Sequence, residues 1–377
     1  MNDFTLSAAD AVEMNNLLSD CERFTTSFLG YPVAKDFDYS PLFPFLQYPL
    51  NNLGDPYISS TYAVGSREME KYVISFFADL FRAEPDNYWG YVTNGGSEGN
   101  LYGLYLAREI YPKGMVYYSE STHYSVQKNI HLLNLPGIII KSQENGEMNY
   151  DDLEEAIRPN RHLPVIILAN IGTTMTEARD NVSEIKAILR KLAIRHHYIH
   201  ADGALSGSYA AFLDPRPAFD FADGVDSIAI SGHKFIGSPI PCGVVLAKKT
   251  HRDRIARSVA YIGTLDTTIT GSRNGHSPLF LWYALKSMGI TGLKMRAENS
   301  LATAAYAVER LNETGIAAWR NPNAITVVFP APSAVCCRQF QLAAENGISH
   351  IICMPGIGKS QIDRFVAALQ QEAAIPA

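Results

Sequence analysis

The chain has 377 residues, 47% hydrophobic and only 19% charged, which is enough for a large domain plus a smaller one and argues against disorder. Its net charge of -6, with no basic block, disfavours a nucleic-acid or anionic-membrane surface. Five cysteines without a C-x-x-C pair suggest reduced thiols in a cytoplasm rather than a disulfide framework or zinc cage. The N-terminus lacks the basic and apolar regions of a signal peptide, and no apolar run reaches a membrane-spanning length.

Residues 1–55 read as an N-terminal segment. A helix from Ala8 to Phe28 leads into a proline- and aromatic-rich stretch from Tyr31 to Pro56. The segment suits either an arm on a partner subunit or a loop over its own.

From Glu68 to Ala247, within a large domain expected over 56–275, strands and helices alternate. Met69 to Leu80 has helical apolar spacing. Trp89 to Val92 reads as a strand, followed by a glycine-rich turn and a helix to Ile110. Met115 to Tyr118, Gly137 to Ile140 and Val165 to Ala169 are further strands. Ser183 to Ile194 reads as a helix with Ser183 as N-cap. Strands near Tyr198, Ser227 and Gly243 complete the set. Apolar strands between helices imply a mainly parallel sheet covered on both faces. A smaller α/β domain over 276–377 is expected to hold a helix from Ala297 to Asn312 that stops near Gly315, strands at Ala324–Phe329 and His350–Met354, and a last helix after Ser360.

The most informative stretch is Ser231-Gly232-His233-Lys234, just past the strand at Ser227–Ile230. A lysine there can form a Schiff base with pyridoxal phosphate (PLP), while its neighbours hold the phosphate. A second strand, Tyr198 to Ala201, ends in Asp202, a carboxylate suited to the pyridine nitrogen, whose protonated ring is the electron sink. The turn Thr93 to Asn100 could bind a phosphate through Ser97 and the first helical amides, although a tight turn can need glycine without any ligand. His123 follows a strand and could stack on a planar cofactor; an ordinary hydrogen-bonded role is the alternative. Asn170 to Thr174 offers hydroxyls at the same edge, or simply a turn. His196, His197 and His200 have no second ligand cluster, so no metal is expected. The polar run from Tyr261 to His276 reads either as a linker or as a mobile lid with a proton donor.

With these residues in hand, the chain resembles the group II PLP-dependent amino-acid decarboxylases over nearly its whole length. The ordered motifs are DFDY at Asp36, WGYVTNGGSEGN at Trp89, THYS at Thr122, NIGTT at Asn170, HADGALSG at His200, SGHKFIGSPIPCG at Ser231 and TGSRNGH at Thr270. The resemblance implies the type I, aspartate aminotransferase-like PLP fold, with a mainly parallel seven-stranded sheet and a smaller C-terminal α/β domain. It also implies PLP as cofactor and a homodimer or higher homo-oligomer with the site at the subunit interface.

Carried over by motif, Lys234 is the Schiff-base lysine, Asp202 the pyridinium partner, His123 the stacking ring and Ala204 its counterpart on the other face. Gly96, Ser97, Ser231 and His233 hold the phosphate, and Thr173 lines the cofactor site. Tyr261 matches the loop tyrosine that protonates the carbanion. Tyr62 and Ala324 are candidates on the substrate side. The implied reaction is α-decarboxylation of an L-amino acid, of the serine or the histidine type. Leu53-Gly54-Asp55-Pro56 and His276 to Tyr283 tilt the reading slightly toward the serine branch, while both branches commonly carry serine where Ala324 stands. An aminotransferase or lyase of the same fold is the rival enzyme reading, and a non-catalytic PLP-fold binding protein the rival from another class.

Overall fold

A computed structural model describes residues 6–259 and 263–373. Its centre is a seven-stranded sheet: β1 (Tyr88–Thr93), β2 (Met115–Ser119), β3 (Gly137–Ile140), β4 (Val165–Asn170), β5 (His197–Asp202), β6 (Ser227–Ser231) and β7 (Gly243–Lys248). The spatial order is β1-β7-β6-β5-β4-β2-β3. Neighbours from β6 through β3 run parallel; β7 alone runs against both of its neighbours. All six residues of β4 and all five of β6 are buried, the pattern of strands covered on both faces.

The helices before the C-terminal region are α1 (Ala8–Thr25), α2 (Arg67–Leu80), α3 (Gly96–Ile110), α4 (Ser125–Leu132), α5 (Tyr150–Ile157), α6 (Val182–Lys191), α7 (Gly207–Ala210) and α8 (Lys249–Arg252). In α2, Glu70, Val73, Ile74, Phe77 and Ala78 are buried at a 3–4 spacing that lays one stripe on the sheet, and Leu80 is buried at its end. The two faces hold separate apolar clusters. One gathers residues of α2, α5 and α6 around Ile167, Ile199 and Ile228; the other gathers residues of α3 and α4 around Ile166, Tyr198 and Ala229. Within β5, alternation therefore sends Tyr198, His200 and Asp202 toward α3.

A short hairpin, β8 (Arg257–Val259) with β9 (Thr264–Asp266), flanks the segment that holds Tyr261; Tyr261 itself lies outside the described residues. The C-terminal region contains α9 (His276–Glu313), β10 (Thr326–Pro330), α10 (Ala334–Phe340), β11 (Ala344–Glu345), β12 (Ile348–Ile352) and α11 (Lys359–Ala373). Its three strands form an antiparallel sheet in the order β10-β12-β11.

Three expectations shift. The helix expected from Ala297 begins at His276 and is interrupted at Gly289, whose φ of 59° breaks the helical path. The cap of α6 is Asn181, not Ser183: its side chain accepts the Ser183 and Glu184 amides, the Asx geometry that serine two residues later cannot supply. The N-terminal helix ends at Thr25, three residues early, where the Lys35 ammonium donates to the carbonyls of Thr25 and Phe28. Beyond α1 the segment is tied to its own chain, through Leu29 to Phe340 and Ile352, and through Ala34 to Lys234. No buried residue occurs in α1 itself. Among the described residues no helix is long and apolar enough to cross a membrane.

Candidate active site

Helix α3 descends over β5 and β6 in three steps, each made at a glycine. A Cβ on Gly96 would stand 2.8 Å from Ser231 Oγ and 3.1 Å from the Ala204 methyl; one on Gly99 would stand 2.7 Å from the Ala229 methyl. A Cβ on Gly103 would enter the His200 imidazole, 2.2 Å from Nδ1. These contacts explain the otherwise costly glycines of a helix: no side chain fits between it and the sheet. They also bring the helix start to the carboxyl ends of β5 and β6, where ligands of open parallel sheets bind.

The same approach gathers the residues singled out in the sequence. Gly96 touches both Ser231 and Ala204. The N-terminus of α3 has no side-chain cap, so its first amides keep their donors free of local partners, as a phosphate requires. Ser97 is exposed beside them, and its carbonyl accepts from Asn129 of α4. After β6, the loop bearing Lys234 is closed by Gly232 N–H to the Cys242 carbonyl, 2.8 Å, and by Ser238 N–H to the Gly232 carbonyl, 3.1 Å. His233 Nδ1 sits 2.9 Å from the Cys242 carbonyl and 3.2 Å from its amide, which fixes the imidazole on the loop.

Electrostatics tie three of the groups together. Burial lowers the Lys234 pKa, and the Asp202 carboxylate opposes that shift. Burial also lowers the His123 pKa; Asp202 again opposes, while Lys234 adds to the lowering. A lysine whose ammonium is disfavoured holds more of the neutral amine, the form that attacks a carbonyl. His123 Nδ1 accepts the Ser125 amide at 3.3 Å and lies 2.8 Å from its hydroxyl, leaving the ring half-buried at the end of β2. His233 is likewise held toward the neutral form by burial.

Asp202 is buried at the end of β5, paired in register with Asn170 and Ala229. Its Oδ1 accepts the Ala204 amide at 3.0 Å and its Oδ2 accepts Asn100 Nδ2 at 2.7 Å. Asn100, on α3, was not singled out by sequence reasoning, although its place within the glycine turn motif was visible. Both ring nitrogens of His200 are engaged within the protein, by Asn100 and by Ser227.

Other expected residues lie differently. Thr173 is buried, and its hydroxyl is engaged inside its own turn, 3.0 Å from Thr176 Oγ1 and from the Ala178 amide. Tyr62 is on the surface and donates its hydroxyl to the Pro49 carbonyl at 2.9 Å. Ala324 is fully buried, beside a clamp that the sequence did not reveal. There Glu177 pairs with Arg179 at 2.7 Å and accepts from the Ile325 and Thr326 amides and the Thr326 hydroxyl, while Arg179 donates to the carbonyls of Pro322 and Asn323.

Known proteins place the chain in a family. Residues 52–330 match the pyridoxal-dependent decarboxylase conserved domain. The chain belongs to that family: its cofactor is PLP and its reaction class is that of a carboxy-lyase. It is 49% identical over 364 residues to a histidine decarboxylase of Mesorhizobium japonicum, covering 97% of this chain and 98% of that protein. A histidine decarboxylase of Morganella morganii is 47% identical over 365 residues, covering 96% and 97%. Among solved structures, L-methionine decarboxylase from Streptomyces sp. 590 in its internal aldimine form superposes with a TM-score of 0.89 at 25% identity, over 98% of this chain and 96% of that one. The tilt toward a serine branch finds no support in these relatives.

The residues present fit the cofactor. The glycine-lined cradle at Gly96, the uncapped start of α3, the buried carboxylate with its two donors and the loop lysine match its phosphate, ring nitrogen and aldehyde in turn.

Proposed function

We propose that this chain decarboxylates L-histidine, releasing carbon dioxide and leaving histamine. The observation that carries the reading is the 47–49% identity to histidine decarboxylases over nearly the full length of both chains. Bound PLP supplies an electron sink for the pair left behind when the carboxylate departs. In this reading Lys234 is the residue that would hold the cofactor covalently, its amine being the group the substrate amine would replace. Asp202 would keep the ring nitrogen protonated, and His123 and Ala204 would hold the ring. Gly96, Ser97, Ser231 and His233 take the phosphate, with Thr173 beside the site. Tyr261 returns the proton to the α-carbon. Tyr62 and Ala324 remain the proposed substrate-side positions.

The division into residues 1–55, 56–275 and 276–377 belongs to the same proposal, as does a homodimer. The dimer is supported by the N-terminal segment, where Val12, Met14, Leu17, Leu18, Phe43 and Leu46 leave large apolar surfaces exposed. Five free thiols suit a reducing cytoplasm.

Purified enzyme supplied with PLP and a panel of L-amino acids tests the substrate. The expected result is a kcat/KM for histidine well above those for serine, methionine and glutamate, with histamine and carbon dioxide in equal amounts. Higher turnover of serine would overturn it. Keto-acid formation in place of carbon dioxide would point to the aminotransferase reading.

A further inference from the structure

We propose that His200 is a positioning residue: its neutral imidazole, protonated on Nε2, sets the Asn100 amide and through it the Asp202 carboxylate. The inference rests on the reading that Asp202 faces the ring nitrogen of PLP.

Every donor in the chain of contacts can be assigned by elimination. Asp202 Oδ2 is an acceptor, so the atom of Asn100 that meets it at 2.7 Å is the amide nitrogen. The amide oxygen then faces His200 Nε2 at 2.9 Å, and Nε2 must carry a proton to donate. Burial pushes the His200 pKa down to about 4, so the ring is neutral and Nδ1 is bare. Nδ1 accepts from the Ser227 hydroxyl at 2.7 Å. Ser227 Oγ in turn accepts from the Tyr198 hydroxyl at 2.8 Å. All four hydrogen bonds therefore point one way, from Tyr198 toward Asp202.

The parts are buried and built to touch. Tyr198, His200 and Asp202 alternate along one face of β5, and His200 lies in register with Ser227 of β6. Tyr198, Asn100, His200 and Ser227 are all buried. Gly103 leaves the gap in α3 that the imidazole fills. An opposite His200 tautomer would place the bare Nε2 against the Asn100 oxygen. The amide would then turn over and aim its oxygen at the carboxylate. In the polarity assigned here the Asn100 amide N–H is aimed at Asp202 Oδ2, which leaves the carboxylate an acceptor toward the cofactor's ring nitrogen.

Two measurements test this. In the apoenzyme labelled with [15N]histidine, side-chain NMR should show His200 as the neutral Nε2–H tautomer, with Nδ1 bare, from pH 5.5 to 8. A proton on Nδ1 would overturn the inference, and this test needs no variant to fold. In enzyme loaded with PLP labelled with 15N at the ring nitrogen, the wild type and His200→Gln, whose amide can still donate toward Asn100, should give the signal of a protonated ring. His200→Leu and Asn100→Leu should move that signal toward neutral pyridine and weaken PLP binding by roughly tenfold or more, the effect of losing a hydrogen bond to a charged group. Unchanged signals in both leucine variants would overturn the relay. Asp202→Asn separates the two levels. If its ring nitrogen stays protonated, the reading of Asp202 itself fails; if it loses the proton while the leucine variants do not, only the relay fails.

Discussion

Gly103→Ala turns the close approach of α3 into a measurement whose sign is informative. In an uncrowded helix the exchange stabilises, by about 0.4–1 kcal/mol, because alanine restricts the unfolded chain. Here the new methyl would lie 2.2 Å from Nδ1, 2.5 Å from Cε1 and 2.8 Å from Cγ of His200. The imidazole has no free direction, since Ser227 and Asn100 hold it from both ends. The helix cannot simply lift, because Gly99 rests on Ala229 one turn earlier. Overpacking of this kind costs about 1–3 kcal/mol. Displacing His200 adds roughly 1–3 kcal/mol for each buried partner left unmade. With one such partner lost and the alanine gain subtracted, Gly103→Ala should lose about 1–6 kcal/mol. Urea unfolding of the apoenzyme, followed by circular dichroism, reads the change as a lower midpoint. An unchanged or higher midpoint would refute the argument that the imidazole occupies the place of a side chain on α3.

Other outcomes follow from the same geometry. Lys234→Ala should lose the visible absorbance of lysine-bound cofactor and nearly all turnover; normal turnover would remove Lys234 from its role. His200 has a folded pKa of about 4 against about 6.5 unfolded, so only the unfolded chain binds its proton between those values. Its contribution is therefore complete above about pH 6.5 and lost as pH falls toward 4, on the order of 3 kcal/mol. In acid-unfolding titrations His200→Gln should flatten that slope, and an identical slope would contradict the neutral buried imidazole. Tyr261→Phe should retain cofactor absorbance and substrate binding but form amine slowly, with more oxidative or transamination side product, because return of the proton is delayed. A wild-type rate and product ratio would leave that tyrosine as part of a linker.

The sheet was legible because its strands are short apolar runs bounded by helical periodicity. Val165–Asn170 and Ser227–Ser231 can be buried on both faces only in a covered, mainly parallel sheet. Lys234 and Asp202 were legible because each stands at the end of such a run. Asn100 was not, since an asparagine inside a helix looks like surface until α3 is known to settle on β5 and β6 through Gly96, Gly99 and Gly103. His200 was weighed against metal ligation; its real partners come from α3 and β6, at separations that no local pattern encodes. The Glu177–Arg179 clamp escaped notice for the same reason, because its acceptors and donors lie about 145 residues away in the C-terminal region. Similarly, the buried pair of Glu70 and Arg273 joins α2 to the loop before α9. Only the fold brings that polar loop back to the sheet.

The most direct test of the central claim is isotopic. L-Histidine labelled with 13C in its carboxyl group, given to the PLP-loaded enzyme, should release all of its label as carbon dioxide, with one unlabelled histamine for each. The Lys234→Ala enzyme should release none above background. Label retained in a keto acid or other product, or equal release by the lysine variant, would contradict a histidine decarboxylase working through Lys234.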